Sequence, residues 1–274
     1  MLKRWVQGGE VVANWAATPS GLYYADGVFE TMRVAAGTIP LWYYHRRRLA
    51  RSLECLKLDA PDWRDLEASM LDLAEHHPEA VLKLVCCSSG GARGYQRMGQ
   101  QVSWALQLSE LPASHAPLRA QTASLRLAGG SALESLKGLA RPIQRMAATE
   151  VSQAGCGLAL LRHRDGDAVS FSHGNLYCLQ DGRLWTPPLS RGAIAGIVRE
   201  LLLSTGPLEV RVAPLDYARL FAADAVLVSN AVRGIQSVAA IDGRPLAQSG
   251  QVSRCVDWLR ELGLDSLVTG SGTQ

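Results

Sequence analysis

The stretch Ser135-Leu136-Lys137-Gly138-Leu139-Ala140-Arg141-Pro142 places a single lysine between apolar neighbours. Burial disfavours the charged form of an amine, so a lysine held in an apolar pocket can react as a free amine and form a Schiff base with an aldehyde. The ordinary alternative is an exposed lysine ahead of the helix predicted over 141–152, because most lysines lie at protein surfaces. The chemistry of Lys137 therefore depends on what the rest of the chain supplies.

Composition and charge narrow the class of protein. The chain has 274 residues, of which 47% are hydrophobic and 19% are charged, as in ordinary globular proteins. The net charge is only +3, and the densest basic run, His45-Arg46-Arg47-Arg48, lies within an amphipathic helical pattern. A solvated helix face is the default interpretation of that run, so we expect no nucleic-acid partner.

The cysteines and the apolar runs indicate a cellular compartment. Six cysteines lie mostly within apolar strand-like or helical runs and show no paired metal-ligand spacing. Reduced, buried thiols are the expected state. The first ten residues lack the apolar core of a signal peptide, and no apolar run is long enough to span a bilayer. We expect a cytoplasmic protein that has no metal site and no membrane partner.

The order of predicted elements indicates an α/β (α+β) fold with two domains. Strands come first and helices are interposed without strict alternation, as in α+β or mixed α/β proteins. A polar, proline-punctuated segment over 110–117 is the predicted linker between a small N-terminal α/β domain, 1–109, and a larger C-terminal domain, 118–274. Pro19-Ser20-Gly21 is predicted as a break, and a return strand is predicted after Ala36-Gly37 as far as Trp42.

Three segments offer donors to an anion. Thr186 to Arg199 is predicted as a strand end, a glycine-bearing loop and a helix, whose N-terminal N–H groups favour an anion and whose Gly196 allows a phosphate close to the backbone. Arg48 is separable from its neighbours because it adjoins core-facing Leu49, and Ser229-Asn230-Ala231 follows a buried strand. Plain loop geometry explains each segment alone. Together with Lys137 they suggest a phosphorylated aldehyde cofactor.

The chain resembles the fold-type IV pyridoxal-phosphate enzymes, which include branched-chain and D-amino-acid aminotransferases and aminodeoxychorismate lyase. The resemblance spans nearly the whole length and rests on ordered motifs: Asp26 to Arg33, His45 with Arg48-Leu49, Leu136-Lys137, Asn175-Leu176-Tyr177, Thr186-Pro187-Pro188 and Gly196 to Arg199. It implies a small α/β domain joined to a larger barrel-like, cofactor-binding one. It also implies a homodimer with the site at the domain interface.

The same resemblance assigns roles to particular residues. It implies that Lys137 carries pyridoxal 5'-phosphate. It implies that the phosphate is held by Arg48, by the backbone of Ile197 and Val198, and by the turn containing Asn230 and Ala231.

Within the family, the aminodeoxychorismate lyases are the most similar members. Gly90 to Tyr95 is similar to their glycine-rich Arg-Gly-Tyr loop, and Phe29-Glu30-Thr31 resembles their Phe-x-Thr. The resemblance implies that Arg93 and Tyr95 bind a substrate carboxylate, which a guanidinium grips bidentately. The resemblance also implies that Phe29 belongs to this substrate site and that Thr31 orients the leaving side chain. The ordinary alternatives are a solvated loop arginine and a plain strand threonine.

One departure from the family pattern bears on the reaction. The family has a glutamate on the cofactor's ring nitrogen five residues before the asparagine, where this chain has Ser170. A hydroxyl does not hold a proton on the pyridine as a carboxylate does, so the ring is a weaker electron sink. Elimination needs that sink less than transamination does, because the electrons leave with the departing group. Ser170 therefore favours a lyase.

The resulting hypothesis is a lyase that converts 4-amino-4-deoxychorismate to 4-aminobenzoate and pyruvate, a step towards folate. Lys137 would act as the general base. One alternative is an aminotransferase for D- or branched-chain amino acids. Another is a catalytically silent dimeric paralogue. Ser170 and other departures from the family's residue pattern, such as Ala25 and Ala140, are the reason to consider it.

Overall fold

The chain folds into two compact units. The computed structural model describes the following residues: 5–7, 10–12, 19–89, 94–112 and 117–264. The first unit comprises Met1–Pro112 together with Leu136–Ala140, and the second comprises Ala113–Ser135 with Arg141–Gln274. The division after Pro112 falls inside the segment predicted as the linker. The segment around Lys137, which the predicted boundaries put in the second domain, groups by its contacts with the first unit.

The first unit is an antiparallel sheet with helices on one face. Its elements, in chain order, are β1 (Trp5–Gln7), β2 (Glu10–Val12), α1 (Pro19–Tyr24), β3 (Gly27–Ala35), α2 (Trp42–Cys55), α3 (Trp63–His76), β4 (Glu79–Ser88) and β5 (Val102–Ser109). The strands lie in the order β2-β1-β5-β4-β3. Side chains alternate between the two faces of a strand, so Val28, Met32, Leu82 and Leu84 share one face, and they belong to a core cluster with residues of α2 and α3.

Two local predictions for this unit are wrong. Pro19-Ser20-Gly21 does not break the chain but begins α1, in keeping with the tolerance of proline at the first helical position. The return strand after Ala36-Gly37 is absent among the described residues, and only one bridge joins Ala35 to Thr38. Pro40 cannot donate to a strand ladder, and Leu41, with φ of 63°, turns the chain directly into α2.

The second unit contains the remaining strands and helices. Its elements are β6 (Leu118–Leu127), α4 (Ala132–Ser135), α5 (Pro142–Gln153), β7 (Leu158–His163), β8 (Ala168–Phe171), β9 (Gly174–Gln180), β10 (Arg183–Thr186), a 3-10 turn (Leu189–Arg191), α6 (Ile197–Thr205), β11 (Val210–Val212), α7 (Tyr217–Ala222), β12 (Ala225–Asn230), β13 (Gly234–Ile241), β14 (Arg244–Pro245) and α8 (Val252–Glu261).

Six of these strands close into a barrel. They pair in the order β9-β12-β13-β6-β7-β8, and β8 pairs back onto β9. The β13–β6 and β6–β7 pairs are parallel, whereas the other four are antiparallel. The fold is therefore mixed α/β with a closed barrel in the larger unit, which confirms the predicted fold class. Across the described ranges, the structure contains no helix with the length and apolar character that a membrane crossing requires.

Candidate active site

Backbone hydrogen bonds attach the Lys137 segment to the edge of the first sheet. The N–H of Phe29 donates to the carbonyl of Lys137 at 2.9 Å, and the N–H of Leu139 donates to the carbonyl of Gly27 at 3.0 Å. The Lys137 Nζ lies 4.3 Å from the centroid of the Phe29 ring. The structure thus places Lys137 beside a partly exposed aromatic ring, where its chain segment continues the ladder of β3.

The face of β3 opposite the helices carries the other predicted residues of this unit. Phe29 and Thr31 are two positions apart on β3, so both point to that face, and both are half-buried. Lys83 lies directly opposite Thr31 on β4, and its Nζ is 5.1 Å from the Phe29 ring. The structure therefore brings together Lys137, Thr31 and Phe29, with Lys83 as an unpredicted fourth member.

The sequence contained a signal for Lys83. It is the only charged residue in the otherwise apolar run from Ala80 to Cys87. A charged side chain within a buried strand is uncommon unless it is paired or functional. The apolar character of the run by itself indicates only a buried strand.

Behind this face, Arg48 lies in a buried charge cluster. Its Nε donates to Glu30 Oε1 at 2.8 Å, and its Nη2 donates to Glu30 Oε2. The Nδ1 of His45 lies 2.7 Å from Glu30 Oε2, and since a carboxylate only accepts, Nδ1 carries the hydrogen. All three side chains are buried, whereas Arg46 and Arg47 are exposed, as expected from the position of Arg48 beside Leu49.

The cluster sets the charge of its members. Burial by itself would raise the pKa of Glu30, but the Arg48 guanidinium and the hydrogen bonds from Arg48 and His45 lower that pKa to about 2. Burial lowers the pKa of His45, against the opposing influence of Glu30. Glu30 is thus the counter-ion of Arg48, and His45 is neutral. Among the described residues, His45 Nε2 is buried without a hydrogen-bond partner.

In the second unit, three polar side chains form a row across adjacent barrel strands. Ser170 of β8 pairs in register with Asn175 of β9, and Asn175 pairs with Ser229 of β12. All three are buried. The hydroxyl groups of Ser229 and Tyr177 lie 2.8 Å apart. Ser170 therefore shares one row of the barrel with Asn175 and Ser229.

Asn175 also connects this row to the start of α6. Its Nδ2 donates to the carbonyl of Ile194 at 2.9 Å. A Cβ on Gly196 would lie 1.9 Å from Asn175 Oδ1, so only glycine fits there. The sequence had suggested a phosphate as the reason for this glycine, but the close neighbour is the asparagine side chain.

The N-terminus of α6 begins at the predicted residues Ile197 and Val198. Gly196 is its N-cap, and no described side chain caps it. The N–H groups of the first turn are thus available to an anion. Arg199, to which the sequence pattern assigns no separate role, is buried and donates from Nη2 to the carbonyl of Pro187 at 3.0 Å. Burial lowers the pKa of its guanidinium.

The turn after β12 is held by Asn230. Its Oδ1 accepts from the N–H groups of Val232 and Arg233 at 2.9 and 2.8 Å, and its Nδ2 donates to the carbonyl of His173 at 3.0 Å. The asparagine thus fixes the turn that contains Ala231 and ties it to the turn between β8 and β9. Ser170 lies in the barrel row, Asn175 of the same row contacts the loop before Ile197 and Val198, and Asn230 ends the row's third strand, β12, with Ala231 after it.

The predicted carboxylate-binding residues are only partly placed. Arg93 lies outside the described residues. Tyr95 is 96% exposed, and its ring contacts the ring of Tyr24 with centroids 5.5 Å apart. Arg48 belongs to the first unit and the other predicted phosphate ligands to the second, so their joint action stays a prediction.

The donor set fits a phosphorylated aldehyde. The second unit offers the N-terminus of the nine-residue helix α6, which no described side chain caps. Arg199 lies in the first turn of this helix and is buried, and its Nε has no hydrogen-bond partner among the described residues. The first unit offers an amine at the edge of its sheet. Within the described ranges, no group of His, Cys, Asp and Glu side chains has the geometry of a metal site. The first unit thus offers an amine, and the second unit offers an anion cradle.

Comparison with known proteins agrees with this geometry. The family model for amino-transferase class IV matches residues 27–241. The aminodeoxychorismate lyase of Vibrio harveyi is 25% identical over 228 residues, which are 80% of this chain and 84% of that protein. A provisionally named branched-chain-amino-acid aminotransferase of Methanocaldococcus jannaschii is 26% identical over 249 residues, 85% of each chain.

A solved structure shows the same fold. The 4-amino-4-deoxychorismate lyase of Pseudomonas aeruginosa has a TM-score of 0.83 and 29% identity, and the match covers 94% of this chain and 98% of that one. A hypothetical aminotransferase from Mycobacterium tuberculosis, with a TM-score of 0.82 and 19% identity, was solved in a pyridoxal-phosphate-bound form. The bound cofactor of that structure is the one that the sequence predicts for this chain, pyridoxal 5'-phosphate. The chain belongs to the class IV amino-transferase family, with the fold of the fold-type IV pyridoxal-phosphate enzymes.

Proposed function

We propose that this protein is a pyridoxal-phosphate-dependent lyase that converts 4-amino-4-deoxychorismate to 4-aminobenzoate and pyruvate. The observation that carries the proposal is Ser170, which takes the place of the family's ring-nitrogen glutamate and lies buried in the barrel row. Two relatives with lyase names, from Vibrio harveyi and Pseudomonas aeruginosa, support the same reaction.

The residues of the second unit supply the groups that bind the cofactor's phosphate and face its ring nitrogen. The N–H groups of Ile197 and Val198, the Asn230 turn and Arg199 are cationic or positively polarised and favour a phosphate. Ser170 offers a hydroxyl instead of a carboxylate to the ring nitrogen. When bound, pyridoxal phosphate supplies an aldehyde that links to amines and a ring that withdraws electrons from the linked carbon.

The residues of the first unit supply the proton chemistry. Lys137 would take the proton from the amine-bearing ring carbon of the substrate. The carbon–oxygen bond to the enolpyruvyl group then breaks, the ring becomes aromatic, and the departing enolpyruvate takes up a proton to become pyruvate. Thr31, on the same face as Phe29, orients the departing side chain. The atoms and electrons of the substrate equal those of the two products, so the reaction needs neither water nor an oxidant.

The alternative function is an aminotransferase. The similarity to the Methanocaldococcus jannaschii protein favours it, since the two identities differ by one percentage point. A transaminase needs a keto-acid acceptor and makes no 4-aminobenzoate. A lyase releases 4-aminobenzoate and pyruvate in equal amounts without any acceptor. Chromatographic measurement of both products, with and without 2-oxoglutarate, therefore distinguishes the two functions.

The first prediction concerns Lys137. We expect Lys137→Ala to lose the reducible visible absorption band that forms with pyridoxal phosphate, and to lose lyase turnover by at least 10³-fold, because Lys137 is the proposed general base. Borohydride reduction and peptide mass spectrometry should find the pyridoxyl group on Lys137 of the unaltered protein. Lys57→Ala, which removes an exposed lysine after α2, is the matched control and should behave as wild type. Substantial turnover by Lys137→Ala would contradict the proposal.

We also propose that the chain forms a homodimer in the cytoplasm, as the resemblance implies. The proposal is supported by exposed aromatic side chains on the first unit, where Tyr23 is 72% and Tyr95 is 96% exposed.

A further inference from the structure

Arg199 places a buried positive charge at the N-terminal end of α6. It is the third residue of the helix, and its exposed fraction is only 6%. Burial lowers the pKa of the guanidinium, but an arginine keeps its proton in proteins, so the charge persists. The helix dipole is positive at the same end and also disfavours a cation there. Two separate electrostatic effects therefore oppose Arg199 at this position.

No carboxylate among the described residues compensates the charge of Arg199. Glu200 follows it in the first turn, but adjacent residues of a helix do not face each other, and no ion pair joins the two. Tyr177 is the titratable group that acts on Arg199, and burial raises the pKa of its hydroxyl, which is therefore neutral near neutral pH. Arg48, the buried arginine of the first unit, differs because the Glu30 carboxylate lies beside it.

The side chain of Arg199 leaves the helix beside its N-cap. Cα–Cβ bonds in a helix tilt toward the N-terminus, and the Cβ of Arg199 lies 3.7 Å from the position that a Cβ on Gly196 would take. Its Nη2 donates to the carbonyl of Pro187 at 3.0 Å, whereas its Nε is buried without a hydrogen-bond partner among the described residues. A donor and a charge thus remain uncompensated next to the uncapped N–H groups of α6.

We propose that Arg199 is the counter-charge of a dianionic phosphate at the start of α6 and makes this site select phosphorylated over unphosphorylated ligands. An anion there compensates both opposing effects, because it attracts the guanidinium and the helix N-terminus. The inference rests on the proposed function only in placing the cofactor's phosphate at α6. It adds the residue that distinguishes pyridoxal phosphate from pyridoxal, and it means that the phosphate-free protein contains an uncompensated buried charge.

Two ligands that differ only in the phosphate test this directly. The full-length protein is stripped of cofactor and titrated by fluorescence with pyridoxal phosphate and with pyridoxal. In Arg199→Met we expect the affinity for pyridoxal phosphate to fall at least about tenfold and the affinity for pyridoxal to change less than about twofold, because only the phosphate interacts with the lost charge. Equal losses for the two ligands, or no loss for either, overturn the inference.

Arg254 provides a matched control. It is the third residue of α8 and donates from Nη2 to a proline carbonyl, that of Pro207, at 3.2 Å, but it is exposed. Arg254→Met should bind both ligands as wild type does. Arg199→Lys keeps the charge and should retain most of the preference for the phosphorylated ligand. Arg199→Gln keeps a donor for the Pro187 carbonyl and should lose that preference, which separates the charge from the packing of the side chain.

If neither neutral variant of Arg199 folds, the unaltered protein decides. An uncompensated buried charge predicts that about 10 mM inorganic phosphate raises the melting temperature of the cofactor-free protein by about 2 °C or more, relative to sodium chloride of equal ionic strength. A melting temperature that does not respond to phosphate overturns the inference.

The inference and the proposed function can fail separately. Lost phosphate selectivity in Arg199→Met, together with 4-aminobenzoate production by wild type, supports both. The same lost selectivity in a protein that produces no 4-aminobenzoate leaves the inference intact and removes the proposed lyase. Unchanged selectivity in Arg199→Met, in a protein that produces 4-aminobenzoate, overturns the inference and leaves the lyase.

Discussion

Glu30 is the residue whose change should most disturb the first unit. Its carboxylate is buried and is the counter-ion of Arg48. Glu30→Gln removes the carboxylate from its buried pair with Arg48, and breaking a buried ion pair typically costs about 3–5 kcal/mol of the free energy of unfolding. We expect urea unfolding of Glu30→Gln to show a decrease of that size in the free energy of unfolding. Asp257→Asn, which breaks an exposed ion pair with Arg260, is the control and should unfold at the same urea concentration as wild type.

Glu30 also predicts how stability depends on pH. The pKa of Glu30 is lowered from 4.5 to about 2 in the fold, so the unfolded chain binds a proton at a higher pH than the folded one. This contribution to stability is fully present above pH 4.5 and is lost as the pH falls to about 2. In Glu30→Gln that part of the acid transition should disappear. Equal pH slopes in the two proteins between pH 4.5 and 2 would contradict the assignment.

At the residue scale, the sequence identified isolated residues better than pairs of them. Lys137 and Ser170 stood out because each differed from its neighbours or from a family pattern. The pairing of Glu30 with Arg48 and the approach of Lys83 to Phe29 could not be predicted, because both join different elements and depend on which faces meet. Strand alternation puts Phe29 and Thr31 on one face, but only the pairing of β3 with β4 adds Lys83.

At the element scale, the start of α6 depends on one glycine. In Gly196→Ala, the new Cβ would lie 1.9 Å from Asn175 Oδ1, so the asparagine must move and lose its bond to Ile194. We expect the affinity for pyridoxal phosphate, measured by fluorescence titration, to fall at least tenfold, because the first turn of α6 moves with that loop. Gly157→Ala is the control, since a Cβ there meets no atom within 4 Å. Equal affinities of the two variants would mean that α6 does not bind the phosphate.

Most elements followed from local patterns, and the exceptions have local causes. The stripe of Leu66, Met70 and Leu73 has helical spacing and so indicates α3, whose N-cap Asp62 accepts from the N–H groups of the first turn. Pro19 was interpreted as a break although it begins a helix. The expected strand before Trp42 is replaced by a left-handed residue, Leu41, which no propensity for strand or helix indicates.

At the scale of the whole molecule, the proposed dimer is directly measurable. Light scattering on the purified chain should give about 59 kDa, twice the chain mass of 29.5 kDa. Exposed aromatic groups such as Tyr23 and Tyr95 make that surface costly to leave in water, which favours association. A mass of one chain at micromolar concentration would contradict the homodimer.

The closure of the barrel is the feature least accessible from sequence. The pairs β13–β6 and β6–β7 are parallel, and β6 and β13 lie more than one hundred residues apart. Local hydrophobic patterns indicate that strands exist but not which distant strands pair. The barrel was therefore expected through resemblance alone, whereas the α/β class followed from the order of elements.

Residues 136–140 belong to the first unit although they follow part of the second unit in the chain, and this limits how the gene can be divided or recombined. A gene fragment ending at Pro112 would encode Phe29, Thr31 and Lys83 but not Lys137, which lies beyond the first part of the second unit. Recombination that exchanges either unit as one continuous block thus separates the amine from the sheet edge that holds it. The two units must be transmitted together, and chimaeras with related enzymes need three crossover points, after 112, 135 and 140.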